Sequence, residues 1–101
     1  MQHYRQGDVL AERIESIPQD AKKQEGTRIV LAEGETTGHM HAIESETATS
    51  FIGQDGTLYL QLDEPATVTH QEHADIKLPT GTYRIVHQRE YSPGEIRRVQ
   101  D

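Results

Sequence analysis

The sequence predicts one all-β domain spanning residues 1–101, a small antiparallel β-barrel or sandwich of about eight short strands with very little helix. Three observations carry this expectation. Strand-length apolar segments recur about every ten residues, separated by turns rich in Gly, Pro and Asp. Leu58, Leu60 and Leu62 alternate with Tyr59 and Gln61, the period of a half-buried strand. The one long polar stretch, 16–26, shows no apolar stripe of helical period. Of the two architectures a barrel is preferred, because closure removes the unpaired edges that a small open sheet exposes.

In chain order, residues 1–7 read as a lead-in whose Gly7-Asp8 opens a first strand over 8–14, with Leu10 and Ile14 expected on one face. Residues 16–26 read as a loop carrying Pro18 and Gly26, and Arg28 to Ala32 as a buried strand rich in β-branched residues. Gly34 and Gly38 precede the histidine strand 39–43, where glycine lets the backbone turn sharply or approach a ligand closely. A strand over 47–52 leads to Gly53-Gln54-Asp55-Gly56, a strong hairpin signal. The leucine strand follows and ends at Pro65, another strand covers 66–70, and His70 to Asp75 form a polar crossing before Ile76-Lys77-Leu78. Pro79-Thr80-Gly81 is a turn. From it rises the longest strand, with Tyr83, Ile85, His87, Arg89 and Tyr91 on one face, and Ile96–Val99 reads as a final edge strand.

Composition narrows the function. A chain of 101 residues with 33% hydrophobic content, one Phe and no Trp supports a single modest core, so a homodimer that buries more apolar surface is expected. The absence of cysteine excludes disulfides, thiolate metal sites and a cysteine nucleophile. No apolar run approaches the ~20 residues a membrane span needs, and the N-terminus shows no secretory h-region, so no membrane partner is expected and the cytoplasm is the default location. A formal charge of −7 disfavours long DNA as a partner. A short or cyclic oligonucleotide needs only a few local cations, which the bulk charge does not forbid.

Against this plain background the chain holds 6 histidines. His39 and His41, one residue apart, project from one face of an extended strand about 7 Å apart. Alone, such a pair is equally a pair of surface residues. With His70, His73 and His87 in later segments it becomes a candidate site, while His3 at the chain start reads as incidental. His70 and His73 point to opposite faces if their segment is extended, so one of them is expected to reach the site and the other to lie in solvent.

Gly34, His39-x-His41, Glu46 and Gly53 resemble the first cupin motif, with four residues rather than five between the glycine and the first histidine. The second cupin motif is only suggested by Pro79-Thr80-Gly81, with His87 six positions beyond Gly81. The resemblance implies a divalent metal held by His39, His41, Glu46 and His87. A second resemblance covers most of the chain. The segments YRQGDVL, GHMHAI, HQEH and LPTGTYRIVHQREY together look like the small all-β ring nucleases that dismantle cyclic oligoadenylate messengers in type III CRISPR antiviral defence.

Phosphodiester chemistry can also be reached from the residues. An RNA linkage carries its own nucleophile, the 2′-OH, and its cleavage needs a base, an acid and a cation near the phosphate. Histidine fills either proton role near neutral pH. The expected catalytic residues are therefore His39 or His41 with His73 or His70, and Lys77, Arg84 or Arg89 would meet the phosphate while Tyr83 stacks a base. The leading expectation is a metal-independent phosphodiesterase acting on small cyclic or linear oligoribonucleotides. A cupin-like metal protein and a non-enzymatic module that sequesters a ligand are the alternatives. No Gly-x-Ser-x-Gly turn supports a serine nucleophile, and no glycine-rich loop supports nucleoside triphosphate binding.

Overall fold

The computed structural model describes residues 3–33 and 39–87, which form ten β-strands and no helix. The strands are β1 (His3–Gln6), β2 (Val9–Ile14), β3 (Lys22–Lys23), β4 (Arg28–Glu33) and β5 (Met40–Glu44), then β6 (Ala48–Ile52), β7 (Leu58–Leu62), β8 (Ala66–Thr69), β9 (Ile76–Leu78) and β10 (Gly81–His87). The all-β expectation holds. The count exceeds eight because the lead-in segment is itself a strand, paired to β2 through the Gly7-Asp8 turn, and because two lysines of the 16–26 loop pair with β6. Arg89, Tyr91 and the Ile96–Val99 segment lie outside the described residues, as do Gly34 and Gly38.

The strands divide into a six-stranded sheet, ordered β1-β2-β10-β7-β6-β3, and a four-stranded sheet, ordered β4-β5-β8-β9, with antiparallel pairing throughout. The two sheets do not close into the preferred barrel. They leave β1, β3, β4 and β9 as borders. At one corner β1 meets the four-stranded sheet through a side chain instead of a ladder: Gln6 Nε2 donates to the carbonyl of Val68 on β8 at 3.0 Å.

Period-two alternation builds the core. Leu60 and Leu62 of β7, Tyr83 and Ile85 of β10, and Val9 and Ala11 of β2 face Ile43, Val68, Leu78 and Ile29 of the smaller sheet in one buried cluster. Each fully buried leucine or isoleucine contributes about 1.5–3 kcal/mol relative to its exposed state. On β2 the inward pair is Val9 and Ala11, while the expected Leu10 and Ile14 are only half-buried on the other face. The register explains the phase: Tyr4 pairs with Ala11 and Gln6 with Val9, so Tyr4 and Gln6 join the inward row. Gln6 is thereby 3% exposed, a polar side chain at the margin of an apolar core.

Tyr83 is a core residue rather than a stacking platform. Its ring is fully buried, meets Tyr4 edge-on at 6.0 Å, and its hydroxyl donates to the Pro79 carbonyl at 2.7 Å. Burial pushes its phenol upward from the ordinary value. The β6–β7 hairpin forms as expected. Gly53 N–H donates to Thr57 O at 2.8 Å, and Gly56 takes the positive φ of 87° that the turn requires.

Candidate functional site

The inward rows of three strands change from hydrocarbon to imidazole at one end of the sandwich. On β5 the row runs Ile43, His41; on β8 it runs Val68 and then His70; on β10 it runs Ile85, His87. Antiparallel pairing matches Ile43 to Val68 and Ala42 to Thr69, so one further step sets His41 opposite His70. Their ring centroids are 4.3 Å apart. His39, just before β5, meets His70 at 5.7 Å. His73 approaches His70 at 4.6 Å and stacks on His41 at 5.8 Å.

All four predicted catalytic histidines are therefore together. The expectation that only one of His70 and His73 would reach the site is corrected. Residues 71–73 bend instead of continuing the strand, and the bend returns His73 to the face of His70. Two contacts hold it: Met40 N–H donates to Gln71 Oε1 at 2.8 Å, and Gln6 Nε2 donates to Ala74 O at 2.8 Å.

Gly7 makes room for His73. A Cβ at Gly7 would lie 2.7 Å from His73 Nε2, and the residue has a φ of +59°. Gly7→Ala is expected to cost about 1–2 kcal/mol and to displace His73 from the other rings. Urea denaturation, together with the histidine ring resonances of the variant, checks both effects.

Hydrogen bonds assign the ring protons. Gln6 spends its amide nitrogen on two carbonyls, so its oxygen faces His41 Nδ1 at 2.8 Å and must accept. His41 consequently carries its proton on Nδ1 and leaves Nε2 with a bare lone pair. His70 has the opposite form: its Nδ1 accepts the Glu72 N–H at 3.0 Å, so the neutral ring presents Nε2–H. Burial, reinforced by His70 and His73, lowers the His41 pKa to about 4, against a smaller upward pull from Asp8. Burial and the neighbouring His73 and His39 also lower His70, with Glu72 opposing. The Glu72 carboxylate stands 3.7 Å from His39 Nδ1. Gln6 and Asp8 are not among the residues that the sequence singles out. Their only signal is the Tyr4–Gln6 alternation ahead of a Gly-Asp turn.

The remaining candidates lie elsewhere. Lys77 is exposed on β9 between the inward Ile76 and Leu78, so alternation turns it to the outer face. Arg84 is likewise exposed between Tyr83 and Ile85 and pairs with Glu12 across the strands. Neither stands among the imidazoles, and the phosphate-binding role expected of them is not supported. Arg89 falls outside the described residues.

The proposed metal quartet is not assembled. Glu46 is exposed in the β5–β6 connection, and His87 Nε2 lies 2.9 Å from the Leu31 carbonyl, which must accept from it. The contact with Leu31 has a local cause. Val30 pairs with Ala42 and Ala32 with His41, so Leu31 is the extra residue of a β-bulge, and His87 meets its carbonyl. Among the described residues no group of three or more His, Asp or Glu side chains is placed to hold a metal ion. No helix among them is long and apolar enough to cross a membrane.

Fold and site together define a two-sheet antiparallel β protein with a polyhistidine end. The chain belongs to the family described as Domain of unknown function (DUF8820), which matches residues 5–88. No curated protein and no solved structure matches it.

Proposed function

We propose that the polyhistidine end is an acid–base site that cleaves the phosphodiester of a small cyclic or linear oligoribonucleotide. The observation that carries this reading is the pairing of unlike imidazoles, His41 with a bare Nε2 beside His70 with an Nε2–H. His41, with its proton on Nδ1 and Nε2 bare, takes the 2′-OH proton. The 2′ oxygen then bonds to phosphorus as the bond from phosphorus to the 5′ oxygen breaks. The products are a 2′,3′-cyclic phosphate and a 5′-hydroxyl. His70 Nε2–H donates to a non-bridging oxygen, where negative charge develops. His39, whose ring meets that of His70 at 5.7 Å and whose Nδ1 stands 3.7 Å from the Glu72 carboxylate, gives a proton to the leaving 5′ oxygen in this reading. Lys77 and Arg84 lie on outer faces, so among the described residues the groups beside the phosphate in this reading are imidazoles.

A metal reading has one observation in its favour. A Gln6 oxygen on Nδ1 is the kind of outer partner that holds a metal-ligating imidazole with Nε2 forward. His70 would have to turn its ring to join such a site, because its Nδ1 accepts the Glu72 N–H.

Purified protein incubated with cyclic and linear oligoadenylates, with and without EDTA, separates these readings. Cleavage to 2′,3′-cyclic phosphate ends that survives chelation and fails on a 2′-deoxy linkage is the expected result. Loss of cleavage on chelation favours the metal site. Tight binding of every oligonucleotide without turnover favours a sequestering module, and either outcome overturns the acid–base proposal.

A further inference from the structure

We infer that Gln6 is the positioning residue of the site, fixing the His41 proton on Nδ1 and fastening the segment that carries His70 and His73. The catalytic half of this inference rests on the acid–base reading, whereas the tautomer and the fastening do not.

The geometry leaves Gln6 little choice. It is 3% exposed, and its side chain reaches three other segments: Val68 O at 3.0 Å on β8, Ala74 O at 2.8 Å before β9, and His41 Nδ1 at 2.8 Å on β5. Both amide hydrogens are spent on carbonyls, which accept only. An amide turned the other way would set its oxygen against two carbonyl oxygens, with both of its hydrogens toward His41, so the carbonyls dictate the orientation. The orientation in turn dictates the His41 tautomer. Free imidazole of histidine favours the other form, with the proton on Nε2, which would aim an N–H into the cluster where a base needs a lone pair. One amide thus converts two main-chain carbonyls into an instruction about where a ring proton sits. The same two bonds hold residues 68 and 74 at either end of the segment bearing His70 and His73, so ring placement and ring protonation depend on one side chain.

Long-range proton–nitrogen NMR of the histidine rings tests this without any substrate. In the unaltered protein His41 is expected as the Nδ1–H tautomer, and an Nε2–H signal for His41 overturns the inference. Gln6→Leu removes every bond and is expected to lose the Nδ1–H form, with amide exchange across residues 70–75 faster by about tenfold. Persistence of both the tautomer and the exchange protection in this variant sinks the proposal.

Gln6→Glu is the conservative control. A carboxylate still accepts from Nδ1, so the tautomer is retained while the fastening to Val68 and Ala74 is lost. It is also expected to move the His41 titration upward. The other charged or titratable groups facing that ring are Asp8 from the β1–β2 turn, His70 and His73 from the 70–75 segment and His87 from β10, and none of them is altered. A purely structural role would not produce this split between tautomer and exchange. If the expected tautomer is found and no oligonucleotide is cleaved, the positioning role stands and only the phosphodiesterase reading fails.

Discussion

Conversion of His41 to glutamine is expected to reduce phosphodiester turnover by about 10²–10⁴-fold, the range that a positioned proton-transfer group contributes. Glutamine is the informative replacement because the ring is 6% exposed and hydrogen-bonded to Gln6. Alanine would leave a cavity and an unpaired buried oxygen on Gln6, at a cost of about 1–3 kcal/mol for the oxygen alone. A glutamine amide can donate to that oxygen and keep much of the volume, yet it has no lone pair basic enough to take a hydroxyl proton. The loss is expected in kcat and in kcat/KM together, since the interaction is made only as the proton moves. His3→Gln serves as the control, because His3 pairs with Glu12 on β2 and belongs to no part of the cluster. Turnover within tenfold of the unaltered protein would remove His41 from the role of base.

Acid is expected to destabilise the fold through the same residue. In the unfolded chain His41 titrates near 6.5, whereas in the fold its pKa is lowered to about 4, chiefly by burial. Between those values the unfolded chain binds a proton that the folded chain refuses, so the free energy of unfolding rises with pH there. The stabilisation is fully present above pH 6.5 and is lost as pH falls towards 4. The displacement corresponds to at most about 3 kcal/mol, and solvent screening at the open end of the sandwich reduces this to about 2 kcal/mol. His70 is shifted in the same direction and adds to the loss. Urea denaturation at pH 7 and at pH 4.5, in the unaltered protein and in His41→Gln, measures it. The variant should lose less stability on acidification. Equal losses in both would assign the acid sensitivity to other groups, His70 among them, and remove it from His41.

The strands were legible because alternation is local. Leu58, Leu60 and Leu62 announce an inward row, and the Asp55-Gly56 turn announces the reversal ahead of it. The pairing of His39 and His41 on one side follows from the same rule. What alternation cannot supply is which rows end beside each other. That depends on register between segments distant in sequence, such as Ile43 opposite Val68, which carries His41 to His70. The return of His73 depends on a bend with no glycine or proline to mark it. Gln6 escapes notice because a glutamine in a short strand looks like a solvent residue until the Gln6–Val9 pairing turns it inward. Lys77 and Arg84 are the opposite case. Their charge suggested a phosphate partner, yet the alternation of their own strands sends both to outer faces. Tyr83 goes to the core because in a chain with so few aromatics its burial serves packing first.

The two-residue strand Lys22–Lys23 closes one side of the six-stranded sheet. A stray chain seeking backbone partners there meets only a two-residue template flanked by ammonium groups, poor ground for runaway strand stacking. The opposite border is the four-residue strand β1. An extended segment paired to β1 would lie against the strand whose last residue, Gln6, is hydrogen-bonded to His41, and its arrival would be felt at the far end of a single side chain.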